Sequence, residues 1–324
     1  MNMKILANDG ISAAGQAALE ADGHEVLTTF IEQGELADFI GKEGIDGLLV
    51  RSATQVRSDL IDACPALKFV IRGGVGMDNI DVDYARSKGV VVSNTPASSS
   101  QSVAELVMGH LFSLSRFLHD SNRKMPGEGP SQFKTLKKTY GKGTELRGKT
   151  LAVVGFGRIG RSLAGYALGC GMNVVAVDQK TGSTEVPLAL GNGASASAQV
   201  NIVTLAEALP MADAISLHIP AQSDGRAVID GAAIAQMKDG VLLVNAARGG
   251  VVDEDALLSA LDAGKVRAAA LDVFVGEPSP RADVCAHPRL ALTPHTGAAT
   301  LEAQDRIGLE IAEIVSQLNE TATA

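Results

Sequence analysis

Short apolar runs alternate with amphipathic stretches along most of the chain. In the first hundred residues Lys4-Ile5-Leu6-Ala7, His24 to Thr29, Gly47-Leu48-Leu49-Val50, Leu67 to Ile71 and Val90-Val91-Val92 predict strands. Between them Ala13 to Ala21, Leu36 to Ile40 and Ser58 to Ala63 predict helices, the last stopped by Pro65. Runs that are apolar at every position belong to strands buried on both faces, the situation of a parallel sheet covered by helices. Residues 1 to about 95 are therefore expected to form an α/β layer of parallel crossovers. A polar turn, Ala97 to Ser100, precedes a long helix expected from about Gln101 to Leu118. Residues 121 to 148 are polar, glycine-dotted and basic, with Lys134, Lys137, Lys138 and Lys142. This stretch predicts a structureless functional arm or interface element, its lysines on a solvated face.

A second strand–helix rhythm begins at Thr150. The run Leu151-Ala152-Val153-Val154 leads directly into Gly155-Phe156-Gly157-Arg158-Ile159-Gly160, then into a helical pattern carrying Leu163, Tyr166, Ala167 and Cys170, and then into a strand, Val174 to Val177, that ends at Asp178. A G-x-G-x-x-G between strand and helix, with an acid closing the next strand, is the context of a dinucleotide site. Gly155 permits the tight turn, Gly157 the close approach of a pyrophosphate, and Gly160 the packing of helix on strand. The helix N-terminus at Arg158 and Ile159 offers N–H groups to the phosphates. Asp178 accepts from the ribose hydroxyls, so the expected cofactor is NAD rather than NADP. Later strands are expected at Ala214 to Ile219, Val241 to Asn245, Ala268 to Val273 and Leu290-Ala291-Leu292, with helices at Ala232 to Met237 and Asp255 to Leu261. The last helix, Ala298 to Leu318, places Ile307, Ile311, Ile314 and Leu318 on one face. It is expected to return to the first domain. The reading is thus a doubly wound Rossmann domain, residues 101–293, inserted into a smaller flavodoxin-like α/β domain, residues 1–100 and 294–324, that binds substrate.

Composition narrows the class of function. The net charge of −9 argues against a nucleic-acid or anionic-membrane partner. It also means that an anionic substrate must be met by a local basic cluster. Three scattered cysteines, Cys64, Cys170 and Cys285, show no metal-ligand spacing and suit a reducing cytoplasm better than a disulfide framework. The N-terminus lacks the apolar core of a signal peptide, and no apolar run reaches the length of a membrane span.

Removing a hydride from a carbon that bears a hydroxyl requires an acid/base at the oxygen and a cation near the forming carbonyl. Three strand ends supply candidates: Arg248 in Asn245 to Gly250, the carboxylates Asp272 and Glu277 in Asp272 to Pro278, and His295 in Thr293 to Gly297. Ligands bind at the carboxyl ends of strands in open α/β sheets, where all three lie. A carboxylate beside a histidine is a common way to hold the imidazole in one tautomer. His218 ends a strand beside Pro220 and lines the expected cofactor site, whereas His24, His110, His119 and His287 read as structural or surface residues. The loop Gly73-Gly74-Val75-Gly76 also follows a strand, but no long amphipathic helix follows it, so it is read as touching substrate.

The run of GFGRIG, NAARGGVVDE, LDVFVGEP and TPHTGAAT resembles the D-isomer-specific 2-hydroxyacid dehydrogenase family over nearly the whole chain. VRSATQV, IRGGVGMDNID and NTPASSSQSVAEL are similar to its D-3-phosphoglycerate dehydrogenase branch, in the short form without a C-terminal regulatory domain. The resemblance implies that Arg248 holds the substrate carboxylate and polarises the C2 oxygen, that His295 is the acid/base, and that Glu277 is its partner. It implies Asp272 and Gly297 near the nicotinamide amide. Arg51, Ser52 and Arg72 would face a phosphorylated 2-hydroxyacid together with the backbone of Gly73, Gly74, Val75 and Gly76. It further implies a cleft between the domains, and a homodimer with the helix near Gln101 to Leu118 and the arm at its interface. Gln55 stands where the family usually has a lysine or similar residue, and Ser99 or Ser100 where many relatives carry asparagine. Both departures bear on substrate choice. The expected reaction is oxidation of D-3-phosphoglycerate to 3-phosphohydroxypyruvate. The alternatives are another D-2-hydroxyacid dehydrogenase, such as a hydroxypyruvate/glyoxylate reductase or D-lactate dehydrogenase, and an NAD-sensing corepressor-like scaffold.

Overall fold

The chain divides into two compact units, Met1–Ser100 with Ala298–Ala324, and Gln101–Gly297. The computed structural model describes residues 2–323. In the first unit, strands β1 (Lys4–Ala7), β2 (Glu25–Leu27), β3 (Gly47–Val50), β4 (Phe69–Arg72) and β5 (Val91–Asn94) form a parallel sheet in the order β2-β1-β3-β4-β5. Helices α1 (Ala13–Ala21), α2 (Leu36–Glu43), α3 (Ser58–Ala63) and α4 (Val82–Ser87) lie on the crossovers. This strand order is that of flavodoxin-like folds. Side chains alternate across the sheet, so successive residues of one strand enter different cores. Leu48, Val50 and Val70 pack with Leu36, Ile40 and Leu60, whereas Leu49, Phe69 and Ile71 pack with Leu19, Ile307 and Val315.

The second unit opens with helices α5 (Ser100–Arg116) and α6 (Leu118–Tyr140). The rest follows as β6 (Thr150–Val154), α7 (Arg158–Gly169), β7 (Asn173–Val177), β8 (Gly182–Ala189), β9 (Ser195–Val203), α8 (Leu205–Ala208), β10 (Ala214–Leu217), α9 (Gly231–Gln236), β11 (Val241–Asn245), α10 (Glu254–Ala263), β12 (Val266–Leu271), α11 (Ala282–Ala286) and β13 (Leu290–Leu292). The sheet order is β13-β12-β11-β10-β6-β7-β9-β8. Its pairs are parallel except at the edge, where β8 runs antiparallel to β9. Helix α12 (Leu301–Thr323) packs in the first unit.

Three features depart from the sequence expectation. Residues 121–140 are helical, not structureless. Pro126, Gly127, Gly129 and Pro130 are helix breakers by local propensity, but tertiary anchors override them. Leu136 is buried, and the Tyr140 hydroxyl donates to Asp120 Oδ2 at 2.8 Å. Residues twenty apart in a straight helix stand about 30 Å apart, so the element folds back on itself, and it does so at Gln132 with φ −123°. The arm lysines Lys134, Lys137 and Lys138 are exposed on it. Second, a hairpin of β8 and β9 occupies the connection after β7, turning at Gly191-Asn192-Gly193 with Asn192 at φ 60°. Third, residues 294–297 belong with the second unit, because their backbone is bound to Asp272.

Helices α1 and α12 meet at Gly15 and Gly308. A Cβ on Gly15 would lie 2.5 Å from the Gly308 Cα, a backbone atom that cannot swing aside. Gly15→Ala is expected to lower stability by about 1–3 kcal/mol, the usual cost of overpacking. Urea denaturation checks this, with an unchanged midpoint as the opposing result.

Burial lowers the pKa of His24, His110, His119 and His218, the last to about 4. In the unfolded chain these imidazoles take up protons near pH 6.5, while the folded chain resists them. Stability is therefore full above about pH 6.5 and is lost as pH falls toward 4. Thermal melts should show a falling Tm over this window, with a smaller slope in His218→Asn. An unchanged slope in that variant would remove His218 from the effect.

Candidate active site

The second unit builds its candidate dinucleotide loop from backbone constraints that the sequence names. Gly155 leaves β6 at φ 94°, and a Cβ there would lie 2.4 Å from the His218 carbonyl oxygen. A Cβ on Gly160 would lie 2.2 Å from the Gly155 carbonyl oxygen, so only glycine lets α7 sit this close to the loop. Gly157 begins α7 with open space at its Cβ position, and no side chain among the described residues caps the helix. The first-turn N–H groups, with the partial positive charge of the helix end, suit a pyrophosphate. Arg158 and Ile159 form that first turn, with Arg158 exposed. Asp178 is exposed just beyond β7. Its Oδ2 accepts from Phe156 N at 3.0 Å and its Oδ1 from Gln179 N at 2.7 Å. Each carboxylate oxygen retains a further acceptor site, so Asp178 steadies the loop and still suits a ribose diol. His218 follows β10 with its Nε2 2.9 Å from Ser216 Oγ; its Nδ1 is buried with no partner among the described residues. The residues present thus fit a bound NAD.

The strand ends of β11, β12 and β13 carry the remaining candidates. After β11, the Asn245 side chain accepts from Ala247 N at 3.1 Å and donates to the Arg248 carbonyl at 2.9 Å. This closes the turn that presents Arg248, whose guanidinium donates to the Ala247 carbonyl at 2.6 Å. A Cβ on Gly249 would lie 2.0 Å from the Phe274 carbonyl oxygen, so this turn rests on the segment after β12. There Glu277 Oε1 accepts from Phe274 N at 2.8 Å, while its Oε2 lies 2.7 Å from His295 Nδ1. A carboxylate at Nδ1 fixes the proton there and leaves the Nε2 lone pair outward. His295 itself sits at φ 54°, a backbone region that costs energy for a non-glycine residue.

Asp272 holds that conformation. It is 2% exposed, and its Oδ1 accepts from Thr293 Oγ1 at 2.6 Å and Thr296 N at 2.8 Å. Its Oδ2 accepts from Gly297 N at 2.8 Å, and its carbonyl accepts from His295 N at 2.8 Å. Asp272 and Gly297 are therefore joined to each other and to the backbone of His295. A Cβ at Gly297 would lie 3.0 Å from Asp272 Oδ2. His110, read as structural from sequence, lies 3.2 Å from Thr293 Oγ1 and extends the network into α5. Sequence reasoning missed Glu254. It is 8% exposed and accepts from Val275 N at 2.9 Å, bracing the segment that leads to Glu277. Its place in the first turn of α10 reads as an ordinary helix-start acid, so no local signal marks this contact.

The first unit gathers Arg51, Ser52, Arg72 and Gly73 to Gly76 at the carboxyl ends of β3 and β4. Asp9 Oδ2 accepts from Arg51 N at 2.6 Å and Thr54 N at 3.1 Å, and the Asn79 amide donates to the carbonyls of Arg51 and Thr54. Burial lowers the Arg51 pKa, with Asp9 opposing. Ser52 is exposed. Gly74 has φ 141°, and a Cβ there would lie 2.0 Å from Arg72 Nη1, so the guanidinium lies against the loop. The Val75 and Gly74 carbonyls are held by Asn94 Nδ2 at 2.6 Å and Thr95 N at 3.2 Å. Gln55 Oε1 accepts from Arg57 Nη2 at 2.9 Å, and Arg57 is paired with Asp81. Ser99 and Ser100 are buried. Asp9 and Asn79 were not singled out from sequence, since their partners lie 25 to 45 residues away.

The family model of the D-isomer specific 2-hydroxyacid dehydrogenase, NAD binding domain, matches residues 108–297. The hydroxypyruvate reductase of Thermotoga maritima is 40% identical over 314 residues, covering 96% of each chain. The D-3-phosphoglycerate dehydrogenase of Mycobacterium tuberculosis is 42% identical over 270 residues, 83% of this chain and 48% of its own. The chain thus spans about half the length of that relative. Among solved structures, D-lactate dehydrogenase from Aquifex aeolicus, complexed with NAD and lactic acid, aligns with a TM-score of 0.74 and 27% identity, covering 98% of this chain and 96% of that one. With a dinucleotide loop, a paired histidine and a match of this extent, the chain belongs to the D-isomer-specific 2-hydroxyacid dehydrogenase family and is an NAD-dependent oxidoreductase.

Proposed function

We propose that the chain oxidises D-3-phosphoglycerate to 3-phosphohydroxypyruvate, the entry step of serine synthesis. The observation that carries this reading is the pair Arg51 and Arg72 beside the Gly73 to Gly76 loop, in a chain whose net charge is −9. A phosphate needs such a local positive field. Arg248 holds the substrate carboxylate and polarises the C2 oxygen. His295 takes the hydroxyl proton at Nε2, because Nδ1 is committed to Glu277. A bound NAD would supply the hydride acceptor for C2. Gly155, Gly157, Arg158, Ile159, Gly160, Asp178 and His218 bind the cofactor.

A second reading, reduction of hydroxypyruvate or glyoxylate, is favoured by a specific observation: the hydroxypyruvate reductase relative matches over 96% of each chain. The engagement of Gln55 with Arg57 also leaves that position without the extra charge a phosphate would use. The assembly we propose is a homodimer through α5 and α6, where Phe112, Leu118, Met125 and Phe133 are exposed. A cytoplasmic location accords with the three free cysteines; among the described residues no helix is long and apolar enough to cross a membrane.

A substrate contrast tests the proposal. Arg51→Ala should lower kcat/KM for 3-phosphoglycerate about 10- to 150-fold, the weight of a charge-assisted hydrogen bond. It should leave D-glycerate and D-lactate nearly unchanged, which a general folding defect would not do. Wild-type turnover of unphosphorylated acids equal to that of 3-phosphoglycerate would overturn the phosphate assignment and favour the second reading.

A further inference from the structure

Helix α5 is anchored in the core of the second unit. Its Val107, Leu111 and Leu114 join the apolar cluster that holds Leu151 of β6, Ala270 of β12 and Ala291 of β13. A histidine in this helix is not explained by packing. His110 is 7% exposed, and burial, opposed by Asp272, lowers its pKa. A buried polar ring is costly unless it is hydrogen-bonded. The bond that His110 makes is to Thr293 Oγ1, 3.2 Å from Nε2. Thr293 has one hydroxyl proton, and it goes to Asp272 Oδ1 at 2.6 Å. The Thr293 oxygen must therefore accept from His110, which puts the proton of the neutral ring on Nε2. The chain of bonds has a direction: His110 donates to Thr293, and Thr293 donates to Asp272. Asp272 in turn accepts from the N–H groups of Thr296 and Gly297, which follow His295. The same face of α5 touches this turn a second time. A Cβ at Gly297 would lie 3.4 Å from Val103 Cγ2 and 3.6 Å from Leu106 Cδ2. Val103, Leu106 and His110 are spaced to share one side of the helix.

We propose that His110 is a positioning residue for the reaction: acting through Thr293 and Asp272, it fixes the turn that carries His295. The inference rests on the acid/base role proposed above for His295. With Nε2–H filling one side of the Thr293 oxygen, the hydroxyl proton is directed to Asp272. Without that donor the hydroxyl is free to rotate, Asp272 Oδ1 loses one of its partners, and the His295 turn loosens. The effect falls on where the imidazole stands and not on the glycine loop at Gly155 to Gly160.

Kinetics with 3-phosphoglycerate and NAD, and in parallel with hydroxypyruvate and NADH, test this whichever substrate reading holds. His110→Leu removes the donor and keeps an apolar filling, whereas His110→Gln returns an amide N–H near the place of Nε2. His110→Leu should lower kcat about tenfold, less than the roughly 10²-fold that a 1 Å misplacement can cost, with the Kd for NADH unchanged. His110→Gln should recover most of that loss, which a purely space-filling role would not do. In a Thr293→Val background, where the chain of bonds is already cut, His110→Leu should cost no further kcat. Should His110→Leu fail to fold, Thr293→Val and Thr293→Ser take its place: the first should lower kcat, and the second, which keeps the hydroxyl, should not. Wild-type kcat in His110→Leu, equal losses in the Leu and Gln variants, or additive losses in the double variant overturn the inference. His295→Ala distinguishes the two levels of failure. Near-wild-type turnover there overturns the acid/base reading and this inference with it, whereas a large loss there beside an unaffected His110→Leu overturns this inference alone.

Discussion

A single buried carboxylate organises the chemical end of the second unit. Asp272 has given up water almost completely, a costly step for a charge unless strong donors replace the solvent. The replacements are the hydroxyl of Thr293 and the backbone N–H groups of Thr296 and Gly297. Those donors flank His295, whose own N–H binds the Asp272 carbonyl. The left-handed backbone of His295 is thus imposed by its neighbours. Its ring is fixed separately, at Nδ1, by Glu277. Backbone and ring are held by different carboxylates, which leaves Nε2 as the ring atom free of this pairing.

The same device recurs at several loops that carry candidate residues. Asn245 closes the Arg248 turn, Glu254 braces the segment before Glu277, and Asp178 steadies the glycine loop. In the first unit Asp9 and Asn79 do this for Arg51. Each is a side-chain oxygen or amide bound to backbone groups of a neighbouring loop. Loops at strand ends have no ladder to satisfy their N–H and C=O groups. Side chains anchored at the ends of buried strands or helices supply partners and rigidity together. In the second unit the parallel strands with apolar cores on both faces seat those anchor points in packed surroundings.

Much of this was legible in the sequence because it is local. Continuous apolar runs marked the parallel strands, and Gly155, Gly157 and Gly160 marked the tight turn between β6 and α7. The motifs bearing Arg248, Glu277 and His295 were legible for the same reason, and the Glu277–His295 contact follows from two adjacent strand ends. Elements decided by distant contacts were not legible. The helix through Pro126 and Pro130 is held by Leu136 and by the bond from Tyr140 to Asp120, neither of which is a local propensity. The β8–β9 hairpin did carry a local signal, Asn192-Gly193 between alternating residues, in a segment to which the sequence reading assigned no element. Asp9, Asn79 and Glu254 look like ordinary polar residues until the fold brings their partners to them.

The role of Asp272 divides two accounts of the site: a carboxylate that holds the His295 turn, or one that contacts the nicotinamide amide. Asp272→Asn keeps the size but replaces one acceptor with a donor facing N–H or O–H groups. Measured together, kcat and the Kd for NADH separate the two. If Asp272 positions His295, kcat should fall about 10²-fold, the lower range for a misplaced acid/base, with the NADH Kd unchanged. A weakened Kd with kcat within a few-fold of wild type would contradict this account.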